Sequence, residues 1–118
     1  MATYLEELAK GVFLYVWEGQ VTLDDIRASM LPSFRSARRV VFDVSGVDIH
    51  PFKLAMNGVI GHRRLDLLEH VYVVYRPMFK SQAEFLVQST LKVPYSMHLS
   101  RAEALKLALE ENAREKTP

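Results

Sequence analysis

Cysteine is absent from the 118 residues of this sequence. Disulfide bonds, thiol catalysis and cysteine-ligated zinc or iron–sulfur sites are therefore excluded. A large charge imbalance is missing too, since 15 Lys and Arg residues are matched by 14 Asp and Glu residues. The formal net charge of +1 creates no general attraction to nucleic acid or to an anionic membrane. We expect no nucleic-acid partner, and any charged binding surface must be local.

Long apolar segments are also lacking. The apolar run Val12 to Trp17 has six residues, whereas a membrane-spanning helix needs about 20. The first residues contain neither the basic nor the apolar region of a signal peptide. We expect a soluble cytoplasmic protein without stable membrane insertion. A chain of this length predicts a single domain, here over residues 1–113, followed by a charged tail over residues 114–118.

What the sequence does contain is a strand–loop–helix unit over residues 39–60. Val40 to Phe42 is a β-branched and aromatic run that ends at Asp43, and Ser45-Gly46 is expected to form a turn after it. An amphipathic helix then begins at Pro51, where a missing N–H group costs nothing. Its apolar positions follow the spacing of a sheet-facing helix: Phe52, Ala55, Met56, Val59 and Ile60.

Further strands are predicted on both sides of this unit. Val12 to Trp17 is apolar without alternation, which is typical of a strand buried on both faces. Val71 to Tyr75 predicts another core strand, and Tyr95 to His98 predicts a short edge strand after Pro94. Residues 3–9 fit either a helix or a strand.

Three further helices have recognisable starts. Thr22 is a predicted N-cap, and the segments Ser81 to Glu84 and Ser100 to Glu103 both have the spacing of a capping box. The apolar side of the last helix is expected to consist of Ala102, Leu105, Ala108 and Leu109. The whole pattern predicts an α/β fold with a mixed, mostly parallel sheet of four to five strands and about four helices.

The strand–loop–helix unit resembles the core of the STAS domain, the family of SpoIIAA-like anti-sigma-factor antagonists. In that family a hydrophobic strand ends in Asp-(apolar)-Ser-Gly-Val, as at Asp43 to Val47 here, and a loop leads into a helix. The resemblance covers about residues 3–113 and implies that residues 3–9 form a strand. The family's Asp-Ser-Ser-Gly phosphorylation segment falls on Pro51 to Leu54, which contains no hydroxyl group. The resemblance therefore implies a SpoIIAA-like member without the phosphoserine switch.

Candidate binding residues lie where the parallel strands end. Ligands and partners of open α/β sheets gather at the carboxyl ends of these strands. The position that aligns with the family phosphosite carries Lys53, whose positive charge favours an acidic partner surface or an anionic group. The loops and the first turn of the central helix contribute six candidates: Asp48, His50, Lys53, Arg76, Lys80 and His98.

Other polar residues have simpler interpretations. Asp43 could act as a general base, but a structural role in accepting N–H bonds from Ser45-Gly46 is favoured, and Ser45 is interpreted as a turn residue. A basic set is interpreted as a solvated face: Arg35, Arg38, Arg39, Arg63 and Arg64. The four histidines lie on separate elements without metal-ligand spacing, so no metal site and no cofactor are expected: His50, His62, His70 and His98.

Three functional hypotheses follow from these observations. The leading one is a non-catalytic, STAS-like regulatory module, expected in bacterial signalling, that binds another protein. The second is a carrier of a small apolar or lipid ligand with a pocket at the carboxyl edge of the sheet, lined by Met56, Met78, Phe79 and Met97. The third is a small enzyme that uses Asp48 and His50 as an acid–base pair. The sequence leaves the identity of the partner open and is compatible with a homodimer.

Overall fold

The computed structural model describes residues 2–20, 22, 24, 37–47, 68–90 and 93–115. Within these residues the chain forms five strands, one 3₁₀ turn and two α-helices. In chain order the elements are β1 (Ala2–Ala9), β2 (Val12–Gly19), β3 (Arg39–Val47), β4 (His70–Val74), the 3₁₀ turn (Pro77–Phe79), α1 (Lys80–Thr90), β5 (Tyr95–His98) and α2 (Arg101–Glu115).

The strands form one sheet in the order β1-β2-β3-β4-β5. The first pair is antiparallel and the other three pairs are parallel. This confirms the predicted α/β class with a mixed, mostly parallel sheet, and residues 3–9 are part of a strand. Two of the predicted helices, after Thr22 and after Pro51, lie largely outside the described residues. None of the described helices is long and apolar enough to cross a membrane.

A tight turn at Lys10–Gly11 joins the two antiparallel strands. Gly11 has a φ of 84°, a conformation that other residues rarely adopt. Its carbonyl oxygen accepts hydrogen bonds from the backbone N–H groups of Arg38 and Arg39, at 2.8 and 3.0 Å. The turn therefore also fixes the point at which β3 enters the sheet.

Strand β3 is longer than predicted, because the expected turn at Ser45–Gly46 is wrong. Both residues are extended and belong to the strand, which continues to Val47. The register between β2 and β3 shifts between Val16 and Glu18, so that Gly46 lies opposite Glu18. A Cβ atom at Gly46 would lie 3.1 Å from Cγ of Glu18. The glycine thus permits a close approach between strands rather than a reversal of the chain.

One side of the sheet, which we call the aromatic face, carries most of the large apolar side chains. The rings of Tyr15 and Trp17 stack with centroids 5.6 Å apart, and Phe42 contacts both rings. Tyr15 and Trp17 are fully buried, as the sequence predicts. Val87 of α1 packs into the same cluster. Such aromatic contacts contribute a large share of the buried apolar area in a domain of this size.

Helix α2 packs on the other side of the sheet, which we call the helix face. Its contact residues include Ala104 and Ala108, both fully buried, which allow the helix to lie close to the strands. Part of the predicted apolar side is therefore wrong, because Ala102 is exposed and Leu109 is 38% exposed. The helix is rotated so that Asn112 is buried and its side-chain oxygen accepts a hydrogen bond from Arg38 at 3.0 Å.

The two predicted capping boxes have different outcomes. Ser100 caps α2, since its hydroxyl oxygen accepts a hydrogen bond from the Glu103 N–H group at 3.3 Å. Ser81 is not a cap, because the helical conformation begins four residues earlier at Pro77 and passes through Lys80 into α1. Pro77 suits a first helical position, which explains the earlier start.

The sheet is wider than the helix that covers the helix face. Five strands spaced by about 4.8 Å span about 19 Å, whereas a helix with its side chains is about 10 Å across. Among the described residues, the apolar cluster on this face combines β2, β3 and β4 with α2. On the β1 flank of this face Tyr4 and Glu6 are exposed, whereas on the β5 flank Ser96 is half-buried and His98 is buried.

Candidate functional site

Residues that follow β4 and β5 form an exposed surface at the carboxyl edge of the sheet. Tyr75 N–H donates a hydrogen bond to the carbonyl oxygen of His98 at 3.1 Å, so the two strands are still paired where they end. The chain segments that leave them begin side by side. Met78 is 72% exposed and Leu99 is 61% exposed, and two exposed cations, Arg76 and Lys80, lie in the same segments. We call these four residues the carboxyl-edge surface.

A ring contact holds part of this surface in place. The guanidinium carbon of Arg76 lies 5.9 Å from the ring centroid of Phe79, within the range of a cation–π interaction. Phe79 is half-buried against the aromatic-face cluster. The 3₁₀ turn is therefore anchored by Phe79, while Met78 points away from the core and remains accessible.

The six predicted binding residues have different placements. Arg76 and Lys80 lie on the carboxyl-edge surface. Asp48, His50 and Lys53 lie outside the described residues. His98 is the last residue of β5, but its side chain is only 8% exposed and lies on the helix face. Its ring contacts Tyr72 and the Ser96 hydroxyl, so His98 is not part of the carboxyl-edge surface.

Asp43 is bound by structural contacts in the middle of β3, at the level where the pairing with β4 ends. Its Oδ1 atom accepts hydrogen bonds from the Ser45 backbone N–H at 3.1 Å and from the Ser45 hydroxyl at 2.6 Å. Its Oδ2 atom accepts a hydrogen bond from Nε of Arg101 at 2.6 Å, which is also an ion pair. The predicted bond from the Ser45 N–H is confirmed. Since both carboxylate oxygens are engaged, Asp43 ties the start of α2 to the sheet.

A histidine–serine–histidine cluster lies on the β5 flank of the helix face. Nε2 of His70 is 2.9 Å from the Ser96 hydroxyl oxygen, and Nε2 of His98 is 2.6 Å from the same atom. One hydroxyl group can donate only one hydrogen bond, so one histidine accepts it and the other donates to the oxygen. Nδ1 of His98 lies 4.0 Å from Oε1 of Glu103. Burial lowers the pKa of His70, which favours its neutral form.

Sequence reasoning missed this cluster because the histidines are far apart in the chain. The register places Tyr72 opposite Ser96 and Val74 opposite His98, so His70 and Ser96 become diagonal neighbours on one face. The alternation of polar residues at positions 70, 72, 96 and 98 is a signal that could have located it. Among the described residues, no group of three or more His, Cys, Asp or Glu side chains could hold a metal ion.

A buried ionic network lies further along the helix face. Nη1 of Arg39 donates hydrogen bonds to the Tyr72 hydroxyl at 2.9 Å and to Oε2 of Glu111 at 3.3 Å. The Tyr72 hydroxyl donates to the same Glu111 atom at 3.1 Å. Burial raises the pKa of Tyr72 to about 12, although Arg39 opposes this effect. The interpretation of Arg39 as part of a solvated basic face is wrong, because its side chain joins β4 to α2.

The other flank of the helix face contains an open cleft of about 440 Å³. It lies between the first two strands and the beginning of α2. The lining combines apolar, acidic and basic side chains: Tyr4, Glu6, Leu14, Val16, Glu18, Arg101 and Leu105. Nothing in the sequence pattern indicated this cleft, since its walls come from three separate elements.

Comparison of the chain with protein-family models, with curated proteins and with solved structures gave no match. The STAS-like identity therefore stays a prediction from the sequence, and the function must be inferred from the chain's own surfaces.

Proposed function

We propose that this chain is a non-catalytic, STAS-like protein-interaction module that binds an acidic partner through the carboxyl-edge surface. The observation that carries the proposal is the combination of two highly exposed apolar side chains, Met78 and Leu99, with two exposed cations, Arg76 and Lys80. Arg76, Met78 and Lys80 follow β4 and Leu99 follows β5, and these two strands are adjacent and parallel.

The chemistry of this surface fits a protein partner. Exposed large apolar side chains gain free energy when a partner removes them from water, and methionine adapts easily to the shape of a partner. Positive charges around an apolar centre speed up association with an acidic surface and select against basic partners. The expected partner therefore has an apolar contact surrounded by Asp or Glu side chains.

Two features support the non-catalytic, STAS-like part of the proposal. The order of elements, a hairpin followed by parallel strands, agrees with what the resemblance implies. The carboxylate of Asp43, which the sequence offers as a possible general base, is committed to Ser45 and Arg101. We therefore assign a structural role to Asp43 and a binding role to the neighbouring loops.

The alternative hypothesis, a carrier with an apolar pocket at the carboxyl edge, has less support. Phe79 and Met97, two of its expected lining residues, are half-buried and pack against the aromatic-face cluster. Met78, a third, is 72% exposed and does not enclose a cavity. The fourth, Met56, lies outside the described residues.

Site-specific photo-crosslinking tests the proposal. A photoreactive phenylalanine analogue replaces Leu99 in one variant and Leu109, an exposed residue in the second half of α2, in a control variant. We expect the analogue at position 99 to crosslink one discrete partner in cells and the control to give no such product. The charge-reversal pair Arg76→Glu with Lys80→Glu should abolish the crosslink, whereas Lys106→Glu on α2 should leave it unchanged. Equal crosslinking at positions 99 and 109 would contradict the proposal.

A further inference from the structure

The cleft on the β1 flank has an apolar floor. Leu14 and Val16 of β2 lie at the bottom, and Leu105 of α2 forms part of the opposite wall. Tyr4 of β1 pairs with Val16 across the hairpin and also lines the cleft. A cleft of about 440 Å³ lies within the range of about 300–1,000 Å³ that is usual for small-molecule sites.

The charges around this floor are mainly negative. Glu6 and Glu18 are exposed carboxylates, and within the described part of the chain no cation forms an ion pair with either of them. The positive charge of Arg101 is offset by its 2.6 Å ion pair with Asp43. The Tyr4 hydroxyl donates a hydrogen bond to Oε2 of Glu6 at 2.8 Å, which raises the pKa of Tyr4 and keeps the phenol neutral. Among the described residues, the cleft therefore presents two carboxylates that form no ion pair.

The two acidic residues are attached at different levels of the hairpin. In the β1–β2 hairpin Glu6 pairs with Leu14, and Glu18 pairs with Ala2. Leu14 and Glu18 are four residues apart along β2, which corresponds to about 14 Å along the strand. The pair formed by Tyr4 and Val16 lies between these two levels, so the tyrosine ring and the valine side chain separate the backbone positions of the two acidic residues.

We propose that this cleft binds an elongated aliphatic polyamine, a chain of methylene groups with an ammonium group near each end. The ammonium groups would pair with Glu6 and Glu18, and the methylene groups would cover Leu14, Val16 and Leu105. A long chain suits two acidic residues attached about 14 Å apart along the strand better than a compact cation does, and an anion is disfavoured by both carboxylates. The cleft shares no residue with the carboxyl-edge surface, so this proposal does not rest on the proposed interaction function.

Isothermal titration with linear amines tests the assignment. The probes are spermidine, a series of α,ω-diamines with four to ten carbons, and hexylamine as a monoamine of similar apolar content. We expect measurable binding of spermidine and an affinity that rises with diamine length until both ends are reached. Hexylamine should bind at least about tenfold more weakly than the longest diamines, because it can form only one charge-assisted contact.

Matched variants locate the binding. Glu6→Gln and Glu18→Gln should each weaken spermidine binding at least about tenfold, whereas Glu110→Gln, which removes the same charge from an exposed position of α2, should have no effect. Unchanged circular dichroism would show that these variants are folded. Equal weakening in all three variants would overturn the proposal, since binding would then be nonspecific. The absence of spermidine binding at millimolar concentration, or binding of a lysine-rich peptide alone, would overturn it too.

Discussion

The two faces of the sheet are stabilised by different chemistry. On the aromatic face, Tyr15, Trp17 and Phe42 form a continuous cluster of rings, and the cohesion comes from apolar burial. On the helix face, small apolar residues of α2 are combined with buried polar contacts of Arg39 and Asp43. Apolar burial stabilises the fold whatever the relative orientation of the buried side chains, whereas hydrogen bonds and ion pairs require a defined geometry. The aromatic face therefore supplies stability, and the helix face supplies the orientation of α2.

This difference bears on function, because the helix-face contacts hold the first residues of α2 against β3. Arg101 is linked to Asp43, and the residues just before it form the loop that carries Leu99. The position of the carboxyl-edge surface thus depends on an ion pair on the helix face. Substitutions on the two faces should accordingly give different combinations of lost stability and lost binding.

The largest expected effect is on the aromatic face. Trp17→Ala removes a fully buried indole that contacts Tyr15 and Phe42, and should lower the free energy of unfolding by about 3–5 kcal/mol. Urea denaturation followed by circular dichroism measures the loss. The exposed substitution Tyr4→Ala is the control and should cost less than about 1 kcal/mol. A loss below about 1 kcal/mol in Trp17→Ala would mean that this face does not dominate stability.

A smaller effect is expected from breaking the helix-face ion pair. Arg101→Gln leaves the buried carboxylate of Asp43 with its Ser45 contacts only, and should cost about 1–3 kcal/mol. The matched control, Lys106→Gln, removes the same charge from an exposed position of the same helix and should be nearly neutral. A double-mutant cycle with Asp43→Asn should show coupling, and strictly additive losses would contradict a direct pair.

Alkaline pH should weaken the helix face selectively. Burial raises the pKa of Tyr72 from 10.0 in the unfolded chain to about 12 in the folded protein. The protonated phenol therefore contributes stability that is complete below pH 10 and is lost as the pH rises through about 12. Tyr72→Phe should lower stability by about 1 kcal/mol at neutral pH, through the lost hydrogen bonds, and should remove part of this alkaline loss.

Absorbance at 295 nm measures phenolate formation directly while the protein is titrated to alkaline pH. In wild type we expect Tyr72 to contribute a late component at about pH 12, and this contribution should be missing in Tyr72→Phe. A late component of unchanged size in Tyr72→Phe would contradict its assignment to Tyr72.

Mild acid should also lower the stability of the fold, by a smaller amount, through protonation of His70 on the β5 flank. Burial lowers the pKa of His70 below the value of 6.5 that it has in the unfolded chain, against the opposing influence of Glu111. The unfolded chain therefore binds more protons, and the stability that comes from neutral His70 is complete above pH 6.5 and decreases as the pH falls through the lower folded pKa.

His70→Gln should flatten this dependence. The urea midpoint of wild type should fall more steeply than that of the variant between pH 7 and pH 5. The control, Gln88→Ala at an exposed position of α1, should keep the wild-type dependence of the urea midpoint on pH. Identical slopes in wild type and His70→Gln would mean that protonation of His70 is not coupled to folding.

Much of the strand pattern could be predicted from the sequence, since buried parallel strands produce apolar runs such as Val12 to Trp17 and Val71 to Tyr75. The edge strand Tyr95 to His98 was also predictable, because Pro94 marks its start. Local signals failed where neighbouring strands decide the conformation. Ser45 and Gly46 have turn propensity but are extended, because the shifted register against β2 needs a glycine opposite Glu18.

The polar sites were harder to predict, because they depend on register and helix rotation. His70 and His98 meet at Ser96 only through the pairing of β4 with β5. Arg39 is buried because Tyr72 and Glu111 come from other elements to meet it. Arg76 and Lys80 could be placed at the carboxyl edge from the sequence, since they follow directly after a predicted strand.

The central claim is that the carboxyl-edge surface binds a partner while the helix face is structural, and one affinity measurement tests it most directly. The double variant Met78→Asp with Leu99→Asp changes two exposed side chains and should alter stability by no more than about 0.5 kcal/mol per site. Titrated against the purified crosslinked partner, it should bind at least about tenfold more weakly than wild type. Wild-type affinity in this folded variant would contradict the claim.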